Sequence, residues 1–127
     1  MKFSMVNLVD SSLWVALFLD FDTQHEKAKK LFSKINGKMH VPYCVVNEVV
    51  TVLAYKHSKE QANQFISFIE ENQDVKFLDD NLQEEMAFYT SLSSRISFTD
   101  AALLLLSKKA KAKIITFDKQ LVRLARR

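Results

Sequence analysis

The sequence predicts an α/β fold: a parallel β-sheet covered on both faces by helices. Three observations carry this. Short apolar runs recur along the chain, at 5–9, 38–42, 75–78 and 113–117. Each is followed by one or two segments with helical spacing, and strands joined by helical crossovers pair in parallel. The 127 residues are 48% hydrophobic and 26% charged, a balance that lets one compact domain, 1–127, bury a core.

The elements follow in order. "MVNLV" (5–9) is a buried strand, and "SSLWVALFL" (11–19) a helix with a Ser available to cap it. "TQHEKAKKLFSKI" (23–35) carries Ala28, Leu31, Phe32 and Ile35 at helical spacing with its charges opposite, and "NG" closes it as a C-cap would. "KMHVP" is the second strand. "YCVVNEVVTVLAYKH" has the composition of a strand, but Pro42 at a first helical turn and the length before Ser58 predict a helix. "KEQANQFISFIEEN" (59–72) is amphipathic, with Ala62, Phe65, Ile66 and Ile69 on one face; "VKFL" (75–78) is the third strand; "NLQEEMAFYTSL" (81–92) is helical. "SFTDAALLLLSKKAKA" (97–112) opens with a capping box from Ser97 to Asp100, "KIITF" (113–117) is the fourth strand, and "KQLVRLARR" ends the chain as a helix. Trp14, Phe18 and Phe21 read as core, with a hydrophobic groove or dimer patch as the alternative; Met39, Cys44 and the Phe residues at 65, 68, 77, 88 and 98 read as core; His25 reads as solvent-facing or capping.

Several functional classes are excluded by composition. Gly and Pro occur once each, at Gly37 and Pro42, so no glycine-rich phosphate loop of the nucleotide-dependent motors or dinucleotide enzymes is present. Cys44 is the only cysteine, which rules out an intrachain disulfide or a cysteine zinc site and suits a reducing, cytoplasmic setting. The apolar run Leu13 to Leu19 is too short to span a membrane. The net charge is +3, concentrated in "SKKAKAK" and "RLARR". Solvated helix faces account for that, and so does an anionic partner.

Four acids fall where a site would form. In open parallel sheets, ligands bind beyond the carboxyl ends of the strands. Asp10 follows the first strand and Asp118 the fourth; Asp100 is in the first turn of the helix leading to the fourth strand; Glu48 is one and a half turns into the helix after the second. Taken singly, each Asp is explained as a helix cap. Glu48 is not, because it interrupts the apolar run "VVNEVV" and a lone buried acid is costly. Clustered carboxylates repel unless a cation joins them, and an oxygen-only donor set suits Mg²⁺ or Mn²⁺ rather than zinc. Asp79 and Asp80 also follow a strand, but they lead into a helix with no other such signature and are assigned to capping.

"LVDSSLWVALF", the acid in "VVNEVV", "ISFTDAALL" and "IITFDKQL", in this order and spacing, resemble the PIN domain family. The chain is most similar to the ribonuclease toxins of VapBC toxin–antitoxin pairs, over nearly its whole length. The resemblance implies a three-layer α/β/α sandwich of four or five parallel strands, since many relatives add a short strand beyond the last helix, where this chain ends at "RLARR". It implies a catalytic and metal-binding quartet of Asp10, Glu48, Asp100 and Asp118, supported by Ser11, Thr116 and Asn47. It also implies Mg²⁺- or Mn²⁺-dependent endonucleolytic cleavage of RNA, a small cognate antitoxin, and a homodimer. Lys108, Lys109, Lys111, Lys113 and Arg123 are candidates for attracting the RNA backbone. For His25, RNA contact is the alternative to a solvent-facing or capping role. A PIN-fold RNA-processing nuclease, a flap-type DNA nuclease and a non-cleaving RNA- or protein-binding module of the same fold are the alternatives.

Overall fold

The computed structural model describes residues 5–127; the first four residues of the expected domain lie outside the described residues. The elements are β1 (Val6–Val9), α1 (Ser11–Phe18), α2 (His25–Ser33), β2 (Lys38–Pro42), α3 (Tyr43–Lys56), α4 (Lys59–Glu71), β3 (Val75–Leu78), α5 (Leu82–Ser91), α6 (Phe98–Ala110), β4 (Lys113–Ile115) and α7 (Lys119–Ala125). The described strands form one parallel sheet in the order β3-β2-β1-β4. The chain therefore builds outward from β1 to β3 and then returns to the other side of β1. That reversal between β1 and β4 is the switch point at which open α/β sheets form their crevices.

Helices cover the sheet in two groups, giving the α/β/α architecture. α1 packs on α2 and α3, and α3 on α4; α6 packs on α5, α7, β1 and β4. Trp14 is fully buried at the centre of the first group, with Phe18, Phe32, Phe65 and Phe68 around it. Val45, Val49 and Leu53, spaced by four on α3, are all fully buried, so the segment with a strand-like composition is a helix with one packed face. Among the described residues no helix is long and apolar enough to cross a membrane.

Asn7 interrupts the apolar run of β1 and is nonetheless buried. Its Nδ2 donates to the carbonyls of Asn36 (2.9 Å) and Lys38 (3.1 Å), so a polar core residue ties the loop before β2 to β1 and satisfies backbone acceptors.

Several local expectations are corrected. α2 ends at Ser33 with Lys34 as its C-cap, and Gly37 does not cap it. Gly37 instead adopts φ +99° beside the Met5 carbonyl, which a Cβ would strike, so both conformation and space call for glycine. Phe21 and Phe77 are 63% and 51% exposed rather than core. Phe77 lies on β3, an edge strand covered less fully than the centre. His25 does not face solvent freely: its Nδ1 lies 2.8 Å from the Ala16 carbonyl and pins the start of α2 to α1. Asn81, not Asp79 or Asp80, caps α5, accepting the Glu84 N–H. Asp80 is partly buried with one oxygen lacking a hydrogen-bond partner, and burial pushes its carboxyl above the usual range.

Candidate active site

A cleft of about 400 Å³ opens beyond the carboxyl ends of β1 and β4 and is lined by Asp10, Glu48, Asp100 and Asp118 together. Four elements deliver them: the β1–α1 junction, α3, the first turn of α6, and the β4–α7 junction.

Asp10 occupies the N-cap position of α1, yet its side chain makes no cap bond. Its Oδ2 accepts instead from Thr116 Oγ1 (2.7 Å) and Ser12 Oγ (3.1 Å). β1 and β4 pair Val9 with Ile115, and the Asp10 N–H donates to the Ile115 carbonyl, which brings Thr116 alongside. β4 ends at Ile115, two residues earlier than the sequence predicts. That early end frees Thr116 Oγ1 to accept the Asp118 N–H (3.0 Å) while donating to Asp10.

Asp118 is a helix cap as well as a cleft residue. Its Oδ1 accepts from the N–H groups of Gln120 (2.8 Å) and Leu121 (3.3 Å), and its Oδ2 is free of these bonds. Ser97 caps α6 by accepting the Asp100 N–H at 3.0 Å. Glu48 is half-buried on α3, on the flank of the face that packs Val45, Val49 and Leu53.

The four acids feel one another. Burial, then the charges of Asp10, Asp118 and Glu48, push the Asp100 carboxyl up to about 6 from a usual 3.8. The folded protein thus holds this proton more tightly than the unfolded chain. Charging Asp100 costs folding free energy, with no cost below about pH 4 and a full cost above about pH 6. A shift of this size corresponds to about 3 kcal/mol if undiminished, and solvent screening of a half-exposed group reduces it to about 1 kcal/mol. In cation-free buffer, urea melts across this range should show wild type losing about 1 kcal/mol relative to Asp100→Asn as pH rises. Parallel curves for the two proteins would refute the coupling.

The donor set suits a hard divalent cation. The lining side chains that carry donors offer oxygen, with Lys56 the exception. Ser11 Oγ is buried in the cleft wall with no hydrogen-bond partner. No basic side chain lies within ion-pair distance of the four acids among the described residues. As they stand, no three Asp, Glu, His or Cys side chains converge tightly enough to ligate one ion among the described residues. The acids ring the cleft, each carboxylate restrained by its own hydrogen bonds or helix and repelling the others.

The remaining sequence candidates divide. Ser11 lines the cleft, but the hydroxyls bonded to Asp10 belong to Thr116 and to the next residue, Ser12. Asn47 is exposed and does not line the cleft. Lys108, Lys109, Lys111 and Lys113 sit where α6 ends and β4 begins, at the opposite edge of the sheet. Lys108 donates to the Arg127 carbonyl (3.0 Å) and Lys109 pairs with Glu84 (2.6 Å). Arg123 lies in the last turn of α7, also outside the cleft lining. Two charged lining residues were not anticipated. Asp22, in the α1–α2 loop, forms a turn by accepting the Gln24 N–H and carries no motif. Lys56 does carry a signal: Glu48, Val52 and Lys56 repeat every four residues and share the α3 face that lines the cleft.

Comparison with protein families matches residues 8–127 to the PIN domain. The chain belongs to the PIN domain family. The PIN fold described above is also that of solved toxins. A Mycobacterium tuberculosis structure, VapC20, described as a sarcin-ricin loop cleaving toxin, superposes with a TM-score of 0.82 at 22% identity, covering 92% of this chain and 93% of that one. VapBC2 from Rickettsia felis, solved bound to a DNA fragment from its promoter, superposes with a TM-score of 0.67 at 14% identity, covering 94% and 93%. Both likenesses establish the PIN fold of this chain. No curated protein matches the sequence.

Proposed function

We propose that this PIN domain is a Mg²⁺- or Mn²⁺-dependent endoribonuclease, the toxin of a type II toxin–antitoxin pair, acting in the cytoplasm. The reading includes a small antitoxin as partner and a homodimer as the toxin's form. The observation that carries it is the meeting of four acids from four distant segments in one cleft, where burial first and then the charges of Asp10, Asp118 and Glu48 raise the Asp100 carboxyl. Helix capping alone supplies no reason for Glu48 to face three aspartates. The likeness to a solved toxin and to a toxin–antitoxin complex supports the same reading.

In this proposal Asp10, Asp100 and Asp118, with Glu48, would draw in around one or two cations, which when bound would supply Lewis acidity toward the phosphate and the attacking water. Thr116 and Ser12 fix one oxygen of Asp10 so that the other is presented to the cleft. Asp118 is oriented by the N-terminal amides of α7. Ser11 Oγ, buried in the cleft wall with no protein partner, would donate to a non-bridging phosphate oxygen once its side chain turns toward the cleft. Glu48 takes a proton from the water as its oxygen bonds to phosphorus. The bond from phosphorus to the 3′ oxygen breaks, and that oxygen gains a proton from solvent. The products carry 5′-phosphate and 3′-hydroxyl ends.

Cleavage of single-stranded RNA by the purified protein should require Mg²⁺ or Mn²⁺, stop on chelation with EDTA and resume when cation is restored. Products that ligate through a 5′-phosphate are expected. Cation-independent cleavage, or 2′,3′-cyclic phosphate ends, would contradict the mechanism.

A further inference from the structure

Asp22 and Lys56 line the cleft, and their chain neighbours Phe21 and His57 stack on each other beside it. The ring centroids are 5.4 Å apart and the planes 28° from parallel. Phe21 is 63% exposed, while Phe18, three residues earlier, lies in the aromatic cluster around Trp14. His57 is exposed too, and its Nδ1 meets Ser58 Oγ at 3.1 Å. The stack covers one face of each ring and leaves the rest of Phe21 in water rather than in the core. Lys56 is the only cation among the cleft-lining residues, and it lies within ion-pair distance of no acid among the described residues. The proposed chemistry uses none of these three side chains.

We infer that Phe21 and His57 form a stacking platform for one unpaired nucleobase, and that Lys56 holds the phosphate joining that nucleotide to the scissile one. This rests on the ribonuclease reading and assigns its substrate as RNA with at least one unstacked base beside the cut. Every base offers a π-face, so such a platform is tolerant of sequence but demands an unpaired base. The pair is already assembled, so little ordering is lost on binding. Lys56 adds a compact positive charge at the mouth of an acidic cleft that would otherwise repel the backbone.

The test uses the full chain carrying Asp118→Asn, so that RNA binds without being cut. Fluorescence anisotropy compares a short labelled single-stranded RNA with its fully abasic counterpart, in Mg²⁺ buffer. Phe21→Ala should weaken binding of the base-carrying RNA about tenfold and leave the abasic RNA within about twofold, and Phe21→Trp should restore it. Lys56→Ala should lower the slope of log affinity against log salt by about 0.7. On the otherwise native protein, Phe21→Ala should raise KM for RNA cleavage and leave kcat nearly unchanged. Equal losses on both RNAs, or no loss on either, would overturn the platform; an unchanged salt slope would overturn the role of Lys56. If the base-dependent loss holds while the native protein cleaves no RNA, the platform stands and the ribonuclease reading falls. Cleavage with no dependence on Phe21 gives the reverse result.

Discussion

Asp118→Asn is expected to leave the fold intact and to lower cation-dependent RNA cleavage by about 10³-fold. The side chain has two separable duties. Its Oδ1 receives two backbone N–H groups at the start of α7, and an Asn Oδ1 receives them equally well. Losing the negative charge at a helix N-terminus costs about 0.3–1 kcal/mol, and relief of repulsion with Asp100 offsets it, since Asp118 is among the charges that raise that carboxyl. The melting temperature should therefore stay within about 3 °C of wild type. The charge offered to a cation is gone, however, and with it the proposed chemistry. Asp10→Asn should behave alike, because an amide oxygen accepts from Thr116 and Ser12 as the carboxylate does. Thermal melts beside a gel-based cleavage assay separate the two duties: full cleavage in both variants would reduce these acids to caps and braces.

Trp14→Ala should be the most damaging single change to stability. Trp14 is fully buried, and its ring centroid stands 5.3 Å from that of Phe65, 5.5 Å from Phe32, 6.1 Å from Phe68 and 6.5 Å from Phe18. Those rings come from α1, α2 and α4, so truncation opens a cavity that rigid neighbours cannot fill. The expected cost is about 4 kcal/mol, a fall of about 15 °C in melting temperature for a chain of this length. Trp14→Phe should cost less, because the indole Nε1 has no hydrogen-bond partner to lose. A calorimetric scan of the alanine variant within about 5 °C of wild type would show that the aromatic cluster collapses to fill the space.

Much of the fold is legible in residue order. β2 and β3 lie where their apolar runs predict, and α3 starts directly after Pro42. The failures have physical causes. Phe77 is apolar and in a strand, but an edge strand leaves half of it in water. The basic run after Ser107 looks like a nucleic-acid patch, yet the direction of α6 carries it to the edge away from the cleft. Lys56 shares a helix face with Glu48, but a lysine in the last turn of a helix is equally accounted for by the helix dipole, and only the cleft distinguishes the two.

The sequence by itself determined the order of strands and helices along the chain, and the placement of Asp10, Asp100 and Asp118 at strand ends and helix starts. Both follow from periodicity and capping, which act over a few residues. Only the tertiary structure decided that Asp10 is braced by Thr116, 106 residues away, that Asp118 both caps α7 and faces the other acids, and that Phe21 meets His57. These depend on β4 pairing beside β1 and on α3 packing against α1. Such contacts are set by burying the faces of distant segments against one another, and no local pattern encodes their partners.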